Sequence, residues 1–252
     1  AGCSPNGLPD PAAGWRDPGA GETDPRRFAL AHAILAPNPH NTQPWQVELR
    51  GNDEMLLYCD LDRRLPFTDP LDRQITIGCG CFLELYRLAA AQNGFHASVK
   101  PFPDGEASPR LDARALASVK LTPLQAREDP LFAAITARRT NRNLYDATRP
   151  PSAEDFDAIN SAVTNTGEDY PGHVHWTAEA APVAQLRDLV WRAFDRELRT
   201  HGAQVETYQW LRFGAEERAR HRDGLYVDVP VPGLLRALGM LSEENTVDPD
   251  SA

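Results

Sequence analysis

Ala36-Pro37-Asn38-Pro39-His40-Asn41-Thr42-Gln43-Pro44-Trp45 is the stretch that decides the reading of this chain. Its three prolines forbid a helix and preset much of the backbone. Between them stand three side-chain amides, an imidazole and, at the end, an indole. A stiff loop of this composition suits recognition of a flat polar ligand. The apolar run Phe28 to Leu35 leads into it. Gln46-Val47-Glu48-Leu49 alternates after it as a strand does. The motif is therefore a helix-to-strand loop, a common position for binding groups.

Working outward, Asp24 to Ala36 reads as a helix, capped by Thr23 or Asp24 with Pro25 in its first turn. Strands are expected at Gln46 to Arg50 and Met55 to Asp60, joined by Gly51-Asn52-Asp53. A charged loop follows from Arg63 to Asp72. Ile75 to Asn93 is the strongest helix, ended by Gly94. Its mid-helix glycines, Gly78 and Gly80, cost about 1 kcal/mol each against Ala and suggest close approach by another element or a ligand. Phe95 to Phe102 and Ala117 to Leu121 read as strands. Helices are expected at Pro130 to Arg139, at Ala153 to Val163 behind the Ser152 cap, and at Pro182 to Arg199. His173 to Thr177 reads as a strand, Gln204 to Arg220 as a charged helix, and the last thirty residues as a short Leu-rich helix with an acidic tail. Strands mixed with long helices in hairpin-like order indicate an α+β fold with a mostly antiparallel sheet flanked by helices.

Composition narrows the function. The chain has 252 residues, 41% of them hydrophobic, which suffices for a sizeable core. Lys and Arg number 26 against 36 Asp and Glu, a net charge of −10. With no long basic run, nucleic acid is not the expected partner. No stretch is apolar for long enough to span a bilayer. Cys59, Cys79 and Cys81 read as small buried thiols, and no metal site is expected. Ala1-Gly2-Cys3-Ser4 looks like the end of a bacterial lipobox. On that reading Cys3 carries a lipid, residues 4–21 form a tether, and the protein is periplasmic or membrane-anchored; the alternative is a cytoplasmic protein.

The second chemical signal is Arg138-Arg139-Thr140-Asn141-Arg142. Guanidinium forks match phosphate oxygens, and a hydroxyl adds a donor. Read alone, it is also a solvated helix end with cations at its C-terminus.

The loop resembles the flavin-binding loop of the nitroreductase superfamily (Pro-Ser-x-x-Asn-x-Gln-Pro-Trp), most closely that of the Acg-like flavoproteins. The arginine string resembles that family's Arg-Arg-Ser-x-Arg phosphate motif. The small-residue-rich helix from Ile75 to Phe95 lies at a comparable distance after the loop. The resemblance covers roughly Pro25 to Asp146. It implies an FMN site with Arg138, Arg139, Thr140 and Arg142 at the phosphate and ribityl chain. Pro37, Asn38, His40, Asn41 and Gln43 would lie along the ring and ribityl edge, with Arg73 reaching the ring. In the family, Asn38's position usually holds a smaller Ser or Ala. His40 is the candidate catalytic residue, since an imidazole titrates near neutrality; its other reading is a structural partner within the loop.

The order of the two motifs is unusual. Family members place the arginines before the loop and build each site from two subunits. Here the loop comes first, and the region Asn160 to Tyr170 after the arginines carries no Gln-Pro-Trp. The resemblance therefore implies an internal pseudo-dimer with one composite site, acting as a monomer or a homodimer. The expected divisions are a tether over 1–23, a first nitroreductase-like half over 24–125 and a second over 126–252. Pro232 to Ala252 is too short and polar to complete the second half. The implied activity is FMN-dependent reduction of nitro-aromatic, quinone or similar flat acceptors, with NAD(P)H as a donor. Two alternatives stand beside it. One is FMN sequestration without turnover, with residues 204–231 as a lid; the other is an anion-binding lipoprotein lacking flavin.

Overall fold

The computed structural model describes residues 7–126, 129–141, 143–146, 148–164 and 175–247. Cys3, Arg142 and His173 lie outside the described residues. The chain forms two units, Ala1–Thr140 with Arg199–Ala252, and Asn141–Leu198.

The first unit is built on α1 (Pro25–Ala33), the hairpin β1 (Trp45–Arg50) and β2 (Glu54–Cys59), α2 (Arg73–Gln92), β3 (Phe95–Pro101), β4 (Ala117–Pro123) and α3 (Pro130–Ala137). The four strands make one sheet in the order β1-β2-β4-β3. Every pairing in it is antiparallel. β1 alternates half-buried and exposed side chains, as one-sided packing requires. The fold is thus α+β, with helices packed on an antiparallel sheet. Asp24 caps α1 by accepting from Arg26 N, and Pro25 holds the first turn, as the sequence indicates. Among the described residues, no helix is long and apolar enough to cross a membrane.

In the larger of two buried clusters among the described residues, Cys79, Phe82, Tyr86 and Ala89 of α2 meet Met55, Leu57, Val119 and Leu121 of the sheet and Ala29 and Ala33 of α1. Cys59 and Cys79 are buried. Burial pushes both thiols up to about 12, so they serve as apolar packing and not as nucleophiles. His32 lies between Phe28 and Phe132, with ring centroids 4.7 and 4.9 Å away, and its Nδ1 is 2.9 Å from Phe28 O.

α2 starts at Arg73, two residues ahead of the expected Ile75, because two acidic side chains organise its entry. Asp69 accepts from Arg73 N at 2.8 Å and Ile75 N at 2.9 Å, filling donors that the helix leaves open. Asp72 has a left-handed backbone, φ 54°, and a fully buried carboxylate. It accepts from Arg110 Nη2 at 2.6 Å, Arg110 Nε at 3.1 Å and Leu111 N at 3.0 Å. Arg64 Nη1 stands 3.7 Å away.

Two expectations fail. Gln204 to Arg220 is not one helix. It is α6 (His201–Gln209), β5 (Leu211–Phe213) and α7 (Gly214–His221), and β5 pairs in parallel with β6 (Leu225–Val227). Gly214, at φ 75°, turns the chain between β5 and α7. The expected strand at His173 to Thr177 is absent over its described residues, 175–177. Residues 7–23, expected as a tether, place Trp15 against the buried cluster of Leu35, Leu88 and Ile135.

The second unit comprises α4 (Ala153–Thr164) and α5 (Ala180–Leu198). Ser152 and Asp155 exchange backbone-to-side-chain bonds of 2.8 and 3.2 Å, the reciprocal cap that the sequence suggests. Phe156 stacks on Trp176 at 4.1 Å. The face of α5 that carries Leu186, Leu189, Val190 and Phe194 is exposed.

Two stability measurements check this account. Asp72→Ala strands Arg110 and the Leu111 amide, and urea unfolding is expected to show a loss of about 3–5 kcal/mol. Burial draws the His32 pKa below its ordinary 6.5. The unfolded chain therefore takes up a proton that the folded one refuses, and stability falls as pH drops through that value. Denaturant midpoints between pH 7 and pH 5 should decline in the native protein and flatten in His32→Gln.

Candidate functional site

The Pro-rich loop departs from ordinary backbone more than any other stretch of the first unit. A 3-10 turn at Pro39–Asn41 follows the extended Asn38. His40, Asn41 and Gln43 hold φ of 49°, 52° and 51°. Left-handed backbone costs a non-glycine residue roughly 1–2 kcal/mol, so surrounding bonds must impose it. Asn38 supplies the inner ones. Its Nδ2 donates to Ala36 O at 3.1 Å and its Oδ1 accepts from Gln43 N at 2.8 Å. Both ends of the Asn38 amide are thereby spent on loop shape, which a Ser or Ala could not reproduce.

The loop rests on α2 at one glycine. A Cβ at Gly78 would lie 3.1 Å from Asn38 Cβ and 3.4 Å from Pro37 O. Gly80 faces open space, so only Gly78 marks a close approach. Below the loop, Pro44 and Thr42 are fully buried, and Trp45 packs on Phe82 with ring centroids 5.2 Å apart.

The outer bonds come from residues 207–224. His40 Nε2 lies 3.0 Å from Thr207 Oγ1. Asn41 Nδ2 donates to Gly224 O at 3.2 Å, while Gly224 N donates to Asn41 O at 3.1 Å. Gln43 Nε2 donates to Arg222 O at 2.8 Å. This turn is held by a charge cluster. Asp223 accepts from Arg63 Nη1 at 3.0 Å and from Arg212 Nε and Nη2 at 3.1 and 2.9 Å. Arg63 also donates to Thr42 O at 2.8 Å. Both guanidiniums lie over Trp210, at 5.9 and 5.5 Å from the ring centroid.

The arginine string begins where α3 ends. Arg138 Nη2 donates to Leu35 O at 3.3 Å, two residues ahead of Pro37, so the two motifs meet. Arg138 Nη1 donates to Thr140 Oγ1 at 3.4 Å. Its Nε is buried and has no hydrogen-bond partner among the described residues. Burial lowers the Arg138 pKa, and the neighbouring Arg139 charge adds to the effect. Arg139 and Thr140 are exposed. No carboxylate pairs with Arg138 or Arg139 among the described residues.

The expected site residues thus divide. Pro37, Asn38, His40, Asn41 and Gln43 share one loop, and Arg138 reaches its base with Arg139 and Thr140 alongside. Arg73 stands apart. It lines a cleft of about 720 Å³ between the start of α2 and the 102–111 loop, with Leu71, Thr76, Ile77, Phe102 and Arg110, and none of the loop residues borders it. Arg142 is outside the described residues. Sequence reading missed Thr207, Arg222 and Gly224, which take up three side chains expected to meet the ligand, and Asp223, which pairs with Arg63 and Arg212 beside them. The Arg222-Asp223-Gly224 turn signal was the available hint.

The buried, unpaired Arg138 Nε and the two guanidiniums without a carboxylate fit an organic phosphate. At the loop, Pro37 is exposed.

Part of the chain is similar to known proteins. No family model matches the chain. It is 34% identical over 130 residues to "Putative NAD(P)H nitroreductase Rv3131" of Mycobacterium tuberculosis, across 51% of this chain and 36% of that protein. It is 33% identical over 151 residues to "Putative NAD(P)H nitroreductase acg" of the same organism, across 57% of this chain and 41% of that protein. "Uncharacterized protein Rv3127" is 30% identical over 125 residues, across 47% of this chain and 35% of that protein. The chain therefore spans less than half the length of these curated relatives.

The bracing of the loop is testable at Gly224. Its φ is 78°, and a Cβ there would stand 2.4 Å from Trp210 O. Gly224→Ala should cost at least about 1 kcal/mol. Hydrogen exchange should speed up at Asn41, Gly224 and Leu225 while the β2 and β4 amides stay protected.

Proposed function

We propose that this chain is a flavin-binding oxidoreductase of the nitroreductase superfamily that holds FMN between Arg138 and the Pro37–Gln43 loop. The observation that carries the reading is the bond from Arg138 to Leu35 O. It joins the phosphate-type motif to the ring-type motif within one chain, as a composite site requires. The division into two nitroreductase-like halves, 24–125 and 126–252, belongs to the same proposal.

Each residue has a task. Arg138, Arg139 and Thr140 take the phosphate, the arginines with charge and forked donors and the threonine with a hydroxyl. Arg142 continues that set in the sequence. Asn38 holds the loop in shape for Pro37 and its own backbone to line the ring edge. Asn41 and Gln43 fasten the loop to residues 222–224. His40 braces the loop through Thr207; it donates a proton to a reduced acceptor only when that bond is released. FMN, when bound, supplies the two-electron redox chemistry, and the protein supplies binding, orientation and exclusion of water. The substrates proposed are flat acceptors, nitro-aromatics or quinones, with NAD(P)H as the donor, in line with the names of the relatives. A bacterial envelope location, with Cys3 as lipid anchor, completes the proposal.

One observation favours a second reading. Residues 207–224 are bonded to the loop at His40, Asn41 and Gln43 together. A cover of that kind suits retention of FMN without turnover.

The visible spectrum of the purified protein, followed by anaerobic NADPH, tests both. Near one FMN per chain, bleached by NADPH, is expected. Flavin that stays oxidised supports retention. No flavin after reconstitution overturns the reading. Arg138→Ala should weaken FMN binding about ten- to a hundredfold, the worth of a charged hydrogen bond of roughly 1.5–3 kcal/mol.

A further inference from the structure

Two neighbouring guanidiniums without a carboxylate repel each other and need another group to keep them together. Trp15 is that group in this protein. Arg138 Cζ lies 5.5 Å and Arg139 Cζ 4.8 Å from the centroid of its ring. The electron-rich face of an indole attracts cations, and one ring here meets two. Trp15 is itself fixed from both sides. Its ring packs against Leu35, Leu88 and Ile135. Its backbone sits in a 3-10 turn, Ala13–Trp15, closed by Trp15 N donating to Ala12 O at 3.0 Å. Asp10 accepts from Ala12 N at 2.8 Å and pairs with Arg16.

The backbone of the arginine segment is tied as well. Arg139 Nη1 donates to Thr136 O and to Arg138 O, each at 2.7 Å. The buried Arg138 Nε has no hydrogen-bond partner among the described residues.

We propose that Trp15 is a positioning residue of the phosphate end of the site. Its ring gathers Arg138 and Arg139 into one preorganised dication that selects a phosphate monoester dianion over the same molecule without phosphate. The proposal rests on the reading that these arginines hold the FMN phosphate. It adds a residue from the N-terminal segment, which neither sequence motif contains, and it makes a claim about selectivity. An aromatic anchor acts by limiting the conformations of two long side chains before the ligand arrives, so the ordering cost is met in folding.

The test is a comparison of FMN and riboflavin, which differ only in the phosphate, by quenching of flavin fluorescence in titrations of the full chain. Trp15→Leu keeps apolar packing on Leu35 and Ile135 and removes the aromatic face; Trp15→Phe keeps a weaker face. The native protein should prefer FMN. Trp15→Leu should lose about tenfold in FMN affinity with riboflavin affinity unchanged, and Trp15→Phe should recover most of the difference. A circular dichroism melt checks that each variant is folded. If Trp15→Leu is unfolded, Trp15→Met, which also fills the space without an aromatic face, takes its place with the same expected and overturning results. Full native preference for FMN in a folded Trp15→Leu overturns the role of Trp15 and leaves the proposed function standing. An equal loss for both flavins also overturns it, because the residue then acts through general packing. If the native protein itself does not distinguish FMN from riboflavin, the phosphate reading of Arg138 and Arg139 fails, and this proposal with it.

Discussion

The buried carboxylate of Asp72 is the constraint on which the rest of the first unit depends. A lone charge at full burial is prohibitive, so its neighbours are obliged to answer it. Arg110 and the Leu111 amide do so from the 102–111 loop, and Arg64 from the segment after β2. Two distant pieces of chain are thereby brought to the first turn of α2. Asp69 fills the open helix donors beside it. Glu206, also buried, accepts from Phe67 N, Thr68 N and Thr68 Oγ1, tying α6 to the same loop. The start of α2 is thus set by acidic side chains, and the position of Gly78 one turn further on follows from it.

Gly78 in turn decides where the Pro-rich loop can lie. The absence of a side chain there lets Asn38 approach to van der Waals contact. The loop arrives with three left-handed residues, a conformation that His40 and Asn41 tolerate better than Gln43 does. The energy comes from bonds made with residues 207–224 and from the inner bonds of Asn38. Rigidity, in this arrangement, is a property of two sequence-distant segments held together by Asp223 between Arg63 and Arg212. A loop so fixed loses little further freedom when a ligand binds, which is what a cofactor site needs.

The arginine end is organised differently. Arg138 and Arg139 face no carboxylate among the described residues and are gathered by an aromatic ring. Charge that is held but not neutralised is the usual preparation for an anionic ligand. The opposite holds at Asp72, where every charge is answered within the protein. The contrast separates groups that shape the fold from groups available for binding.

Local rules made much of this legible. Pro25 and Asp24 announce α1, period-two alternation announces β1, Ser152 and Asp155 announce a capped helix, and the spacing of apolar residues announces α2. The two candidate motifs are each contiguous in sequence, so their chemistry was readable without a structure. Less was legible where partners are far apart. Asp72 looks like one more acid in a charged loop, because Arg110 is its partner only in space. Gly78 and Gly80 look alike, and only packing tells them apart. The break of 204–220 into helix, strand and helix follows from pairing with residues 225–227, a contact that helical periodicity cannot register. By itself the sequence determined the element types and the chemical kinds of the candidate site, since those depend on propensities and side chains near in the chain. Only the tertiary structure decided which polar groups are spent on the fold, because satisfaction of a buried donor or charge is a matter of distance in space.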